Sequence, residues 1–279
     1  MENLYTISGL SRQGFHKSNS KATQDVLLWK RLRDILSDAR IDYPHSSARK
    51  IHYMFGIKEA GINRFEQFVS EQGMGIKKTR SFIRTTYSGN TWYPNLVNGI
   101  QLNGTNQLWV SDLTYFITPN GSLYIVLIMD VYSRRIIGYS ASDNMLVINN
   151  QKALEMAFKT RKQNHFENLI HHSDKGSQYG SKVYVGMLEA AGICISMAET
   201  CLENPYAERI NGIIKNDYLI AYNINTLQQL EKALRKSIKL YNNYPHGELG
   251  LKSPLGFERF LEQLVGSAYP EMQLYDFRQ

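Results

Sequence analysis

Cysteine is nearly missing: Cys194 and Cys201 are the two in a chain of 279 residues. Two thiols build no disulfide framework, and without histidines at ligand spacing they make no zinc site, so both are expected to be packing residues. Long apolar runs are missing too. The longest without a charge, Leu123 to Met129, is far too short to span a bilayer, and Met1-Glu2-Asn3-Leu4 lacks the basic-then-apolar order of a secretory signal. These absences argue against a membrane partner and lead us to expect a cytoplasmic protein. No heptad pattern is sustained, so no coiled coil is expected within the chain.

Acidic charge is short at one end only. Residues 1–100 carry 15 Lys and Arg against 8 Asp and Glu, while residues 101–279 carry 17 of each, so the net charge of +7 belongs to the first part. A basic front joined to a neutral remainder fits a chain that holds a polyanion with one part and acts on it with the other. An ordinary solvated surface accounts for the charge equally well. With 43% hydrophobic and 20% charged residues, the composition is that of a globular protein.

Periodicity divides the chain. Ser11 can cap a short helix in a turn-like corner near the start. A longer helix is expected over Thr23 to Ala39, with Leu28, Leu32, Ile35 and Leu36 on one face. Ser46 or Ser47 can cap a second helix carrying Ile51, Met54 and Phe55, and a third spans Ile62 to Glu71 with Gly73 as its stop. Residues 1–75 therefore read as a small helical, basic module of the helix-turn-helix kind, and 76–105 as a basic linker. In that linker Lys77, Lys78, Arg80 and Arg84 are the best candidates for contacts to a nucleic-acid backbone, since phosphates need cations without fixed sequence. From Gln107 the period changes. Strands are expected at Leu108–Ile117, Leu123–Tyr132, Arg135–Ser142, Asn168–His172 and Ile193–Met197, with helices at Val147–Arg161 and Ser181–Ala191 and another after Pro205. The pattern alone defines a mixed α/β core, 106–222, followed by a helical extension, 223–279.

Three acids stand out. Asp112 lies inside the apolar run Trp109-Val110-Ser111-Asp112-Leu113, where an unpaired carboxylate is costly. Asp174 ends an apolar strand ahead of Gly176, and Glu208 lies in the first turn of a proline-started helix. Alone, Asp174 is a loop aspartate and Glu208 a dipole-favoured helix acid. Together they can hold Mg2+, which takes oxygen ligands, and two such ions can clamp both oxygens of an in-line displacement at phosphorus. Asn211 and Lys215 share the helix face of Glu208 and are candidates for DNA contact. Asp130 and Glu203 are rival acids, the first read as structural and the second as a loop residue. His172 reads as a strand-end histidine, with orienting Asp174 or touching DNA as further roles.

These motifs resemble the DDE transposases of bacterial insertion sequences, the OrfB type whose core is similar to retroviral integrases. The matching pieces are Trp109 to Tyr115, Met129-Asp130-Val131-Tyr132-Ser133-Arg134-Arg135, His172-Ser173-Asp174 with Gln178-Tyr179, Glu208 with Lys215, and Tyr241-Asn242 through Ser253-Pro254. One departure is spacing: Asp174 and Glu208 stand slightly closer in sequence than is usual there, with the shortfall in the Ala198 to Asn204 loop.

The resemblance implies a ribonuclease-H-like core of five mixed strands flanked by helices. It also implies Asp112, Asp174 and Glu208 as catalytic ligands for two Mg2+ ions, Mn2+ being able to substitute, and double-stranded DNA as partner, both element ends and target. A homo-oligomer on DNA, association with the bacterial nucleoid and an upstream helix-turn-helix and coiled-coil partner product are further implications. The expected activity is metal-dependent cleavage at DNA 3′ ends followed by strand transfer. The alternatives are a nuclease that cuts without joining and a DNA-binding relic.

Overall fold

The computed structural model describes residues 12–76, 92–264 and 269–274. Two units, Met1–Lys77 and Lys78–Gln279, have separate interiors. The basic run Lys77, Lys78, Arg80 and Arg84 lies outside the described residues, as does Ser11. No helix among the described residues is long and apolar enough to cross a membrane.

In the first unit helix α1 spans Arg12–Asp42, α2 Ala48–Met54 and α3 Ile62–Glu71. The first begins well before the expected Thr23, so residues 12–15 are helix and not a corner. Thr23, mid-helix rather than at its start, satisfies its hydroxyl on the carbonyl of Asn19 at 3.0 Å. Ser47 caps α2 by accepting the Lys50 N–H, and Gly73 takes a φ of +65° just past α3. Leu32, Leu36, Ile51, Phe65, Phe68 and Val69 form the core. Phe55, expected on this helix, lies just past it and is exposed, because α2 ends one residue earlier.

The second unit is built on a five-stranded sheet: β2 Leu108–Thr118, β3 Gly121–Asp130, β4 Ile136–Ser142, β5 Ile170–Ser173 and β6 Cys194–Met197. In space their order is β4-β3-β2-β5-β6. The first three form an antiparallel meander whose tight turn is Pro119-Asn120, Thr118 pairing with Gly121, whereas β5 and β6 run parallel to β2. Helices α4 (Val147–Arg161) and α5 (Lys182–Ala190) supply the crossovers that parallel strands require. A Cβ at Gly138 on β4 would lie 2.1 Å from the Ala153 carbonyl oxygen, so glycine is what lets α4 lie this close to the sheet. Leu113, Val126, Ile128, Leu154, Phe166 and Leu188 belong to the core between them.

Helix α6 (Pro205–Ile213) packs on β2 and β3. It continues as a π-turn, Ile214–Tyr218, and a 3-10 turn, Leu219–Ala221. Helix α7 (Leu227–Asn242), closed at its start by a Thr226/Gln229 capping box, buries Leu230, Leu234 and Ile238 and packs on β4, and α8 (Pro254–Gln263) follows. This meander, helix, strand, helix, strand, helix order is the ribonuclease-H-like fold.

Two features depart from expectation. The segment before β2 is no mere connection: Val97 and Leu102 are buried, and strand β1 (Gln101–Leu102) pairs with β7 (Met272–Gln273). Cys194, expected to pack, is exposed on β6.

Candidate active site

The parallel register of β2 and β5 brings the first two acids together. Trp109 pairs with His171 and Val110 with His172. Asp112 lies two residues further along β2 and Asp174 just past the end of β5, close enough for the charge of Asp174 to act on Asp112. They sit at the carboxyl end of β5, where the sheet passes from antiparallel to parallel neighbours, the usual place for a ligand in an α/β sheet. Gly176 is required here: its N–H donates to Asp174 Oδ1 at 3.0 Å, and a Cβ on it would lie 2.9 Å from that oxygen.

Helix α6 is pinned to β2 by two asparagines two turns apart. Asn204 Nδ2 donates to the carbonyl of Ser111 at 3.1 Å, and Asn211 Nδ2 to Asp112 Oδ2 at 2.8 Å. Asn211, expected to face DNA, is instead buried against Asp112, because the rotation set by these pins turns it toward the sheet. Glu208 lies one turn before it on the same stripe but is exposed. Among the described residues no three Asp, Glu, His or Cys are grouped as a metal-ligand set. The structure thus joins Asp112 and Asp174 and does not bring Glu208 into that pair.

The π-turn alters the expected two-turn register between Glu208 and Lys215. Lys215 Nζ lies 5.3 Å from the centre of the Tyr115 ring and close enough to Asp112 to interact. Burial lowers its pKa, with Asp112 pulling the other way.

Burial and the charge of Asp174 raise the Asp112 pKa to about 7, against the opposing pull of Asn211, the Leu113 backbone and Lys215. Buried Tyr179 is raised well above the ordinary tyrosine range, first by burial and then by Tyr184, Asp112 and Asp174. Its hydroxyl hydrogen-bonds Ser111 Oγ at 2.9 Å beneath the pair. Asp112, its proton affinity raised, together with Asp174 and the buried Asn211 Oδ1, which has no hydrogen-bond partner, forms an all-oxygen donor set. That chemistry fits a hard cation such as Mg2+ or Mn2+.

The rivals are otherwise employed. Asp130, fully buried, accepts Arg161 Nη2 and the Asn106 N–H through Oδ2 and the Ser133 N–H through Oδ1. Glu203 Oε2 accepts the Glu199 N–H at 2.8 Å and Asn95 Nδ2 at 2.9 Å. His172 is buried and reaches neither Asp174 nor solvent: Nε2 meets the Glu203 carbonyl at 3.0 Å and Nδ1 meets Ser196 Oγ at 2.8 Å. Burial lowers its pKa to about 4, so the ring is neutral and the carbonyl dictates the tautomer. Nε2 carries the proton, and Ser196, accepting the Leu96 N–H at 2.9 Å, donates to Nδ1. Neither this chain of bonds nor the two asparagine pins carries a sequence signal beyond polar residues in apolar surroundings.

A ribonuclease-H-like sheet with an oxygen-donor pair at its parallel end is matched by two family models, each described as an integrase core domain, over residues 103–201 and 192–254. A 31 kDa protein of insertion element IS600 from Shigella sonnei is 35% identical over 212 residues, covering 74% of this chain and 77% of that protein. The transposase for IS904 of Lactococcus lactis is 32% identical over 176 residues, covering 60% and 67%. The putative transposase InsK of IS150 from Escherichia coli is 26% identical over 251 residues, covering 87% of both chains. The magnesium-bound catalytic core domain of HTLV-2 integrase, in its dimeric form, is similar at 18% identity. It covers 55% of this chain and 94% of its own, with a TM-score of 0.43. The chain belongs to the insertion-sequence transposases with an integrase core.

Proposed function

We propose that this chain moves its element by two phosphoryl transfers on DNA, with Asp112, Asp174 and Glu208 as the ligands of two divalent cations. The observation that carries this is the closeness of Asp174 to Asp112: the charge of Asp174 joins burial in raising the proton affinity of Asp112, as a cation site would require. Glu208 completes the set by swinging its exposed side chain toward the pair from one turn before Asn211.

Bound Mg2+ would lower the cost of charge building on the entering and leaving oxygens. In the first transfer a water oxygen attacks phosphorus at the element end, and the DNA 3′-oxygen leaves and takes up a proton. In the second that 3′-hydroxyl, losing its proton, attacks a target phosphodiester, and the target's own 3′-oxygen leaves. Asn211 holds Asp112 in place through both steps. Lys215 neutralises a DNA phosphate beside Tyr115. The basic first unit and the run Lys77, Lys78, Arg80 and Arg84 hold double-stranded DNA, and a homo-oligomer brings two ends together, with an upstream partner product as an additional component.

The test uses the purified full chain, labelled element ends both uncut and pre-cleaved, and Mg2+ or Mn2+. Asp174→Asn and Glu208→Gln should each lose cleavage and joining by at least about a hundredfold while retaining DNA binding. Metal-dependent activity surviving in either variant would sink the three-acid reading. Cleavage without joining of pre-cleaved ends would reduce the protein to a nuclease.

A further inference from the structure

We propose that Glu203 and Asn95 form a latch that positions the loop 198–204 and, through it, the helix bearing Glu208, an inference that rests on the strand-transfer reading above. The loop links β6 to α6, turns through a short 3-10 segment at Cys201–Glu203, and ends two residues later at Pro205. A connection that presents a ligand-bearing helix has to be held on more than one side. Here Glu203 is gripped at both its groups.

On the side-chain side, a single oxygen, Oε2, accepts Asn95 Nδ2 at 2.9 Å and the Glu199 N–H at 2.8 Å. Asn95 is itself braced, its Oδ1 accepting the Val97 N–H at 3.0 Å, and buried Val97 anchors the segment to the second unit. On the backbone side, the Glu203 carbonyl accepts from His172 Nε2 at 3.0 Å. His172 in turn holds Ser196, which accepts the Leu96 N–H, so the segment around Asn95 reaches both ends of the same circuit. Asn204, next in the chain, is fixed to Ser111 beside Asp112. The latch therefore fastens one end of α6 relative to the strands that carry Asp112 and Asp174. Glu203 and Asn95 are positioning residues and touch no reacting atom.

The geometry makes a distinctive demand. Because both donors converge on one oxygen, an amide carbonyl can replace the carboxylate, whereas a metal-binding acid cannot be so replaced. Full-length Glu203→Gln, Glu203→Ala, Asn95→Ala and the Asn95→Ala/Glu203→Ala double variant are compared in Mg2+ on pre-cleaved element ends. The readouts are single-turnover joining rate and DNA affinity. Glu203→Ala and Asn95→Ala should each slow joining about tenfold at saturating DNA with affinity unchanged. Glu203→Gln should restore most of the rate, and the double variant should be no slower than Glu203→Ala.

A Glu203→Gln protein as slow as Glu203→Ala, or an Asn95→Ala protein as fast as wild type, overturns the latch. Amide hydrogen exchange of residues 198–204 is measured on the same proteins and does not depend on joining. Protection should fall in Glu203→Ala and Asn95→Ala but hold in Glu203→Gln. If wild type joins no DNA yet these exchange differences appear, the strand-transfer reading fails and the latch stands. If protection is the same in all four, the latch fails.

Discussion

Asp112 keeps its proton to about pH 7 because burial and Asp174 both oppose its charge. Its pKa is raised on folding, so the folded state binds a proton that the unfolded chain releases near pH 4. That contribution to stability is present below pH 4 and lost as pH rises to about 7. Buried His171 and His172, lowered to about 3 and about 4 chiefly by burial, act in the opposite sense, losing stability as pH falls below about 6.5. Comparing wild type with Asp112→Asn cancels the histidines. In metal-free buffer the variant should melt higher than wild type at pH 7, with the difference shrinking toward pH 4; with Mg2+ added, the variant should show no DNA cleavage. Equal melting temperatures across that range would mean that Asp112 carries no electrostatic penalty. At this scale the sequence pointed to Asp112 and Asp174, which the fold brings close, but not to their neighbours. Asn211 was placed on the face of Glu208, yet whether that face meets DNA or β2 depends on a helix rotation fixed by contacts to Ser111 and Asp112, residues about a hundred positions away.

The core helices and strands were largely legible because their periods are clear and their ends are marked: Pro205 and Ser253-Pro254 start helices, and Pro119-Asn120 makes the hairpin turn. Strands β1 and β7 escaped because two residues carry no alternation. The π-turn escaped because it uses residue types that suit an α-helix equally well. A less visible device is Asn242 at the end of α7. Its Oδ1 accepts the Ile136 N–H at 3.0 Å and its Nδ2 donates to the Ile136 carbonyl at 2.9 Å, replacing a strand partner at the start of β4. Asn242→Leu leaves both backbone groups buried without those partners and should cost about 2–4 kcal/mol in urea unfolding. Gly138→Ala drives a methyl into the Ala153 carbonyl and should cost about 3 kcal/mol or more. A near-neutral result for it would show that α4 can lift from the sheet freely.

Across the second unit, ion pairs that are mostly buried tie the C-terminal helices to the sheet. Arg161 bridges Asp130 and Glu258 at 2.8 Å each, Arg135 also reaches Glu258, and Arg134 links Glu248 to the Tyr206 ring. Burial would raise the Glu258 pKa, but Arg161 and Arg135 outweigh it and hold the group below its ordinary value. The stability it supplies is present above about pH 4.5 and lost as pH falls through its folded pKa. Arg161→Met strands Asp130 without its cation and should cost about 3–5 kcal/mol at pH 7, measured by urea unfolding, with a smaller deficit in acid where Asp130 takes up a proton. Beyond reading Asp130 as structural, none of this network was legible, because Asp130, Arg161 and Glu258 meet only once the fold has closed. The pairing of β1 with β7 sets Leu274 beside Ile100, its N–H on that residue's carbonyl at 3.0 Å. A reporter grafted after Leu274 would therefore emerge beside Ile100, next to the strand that enters the second unit's sheet.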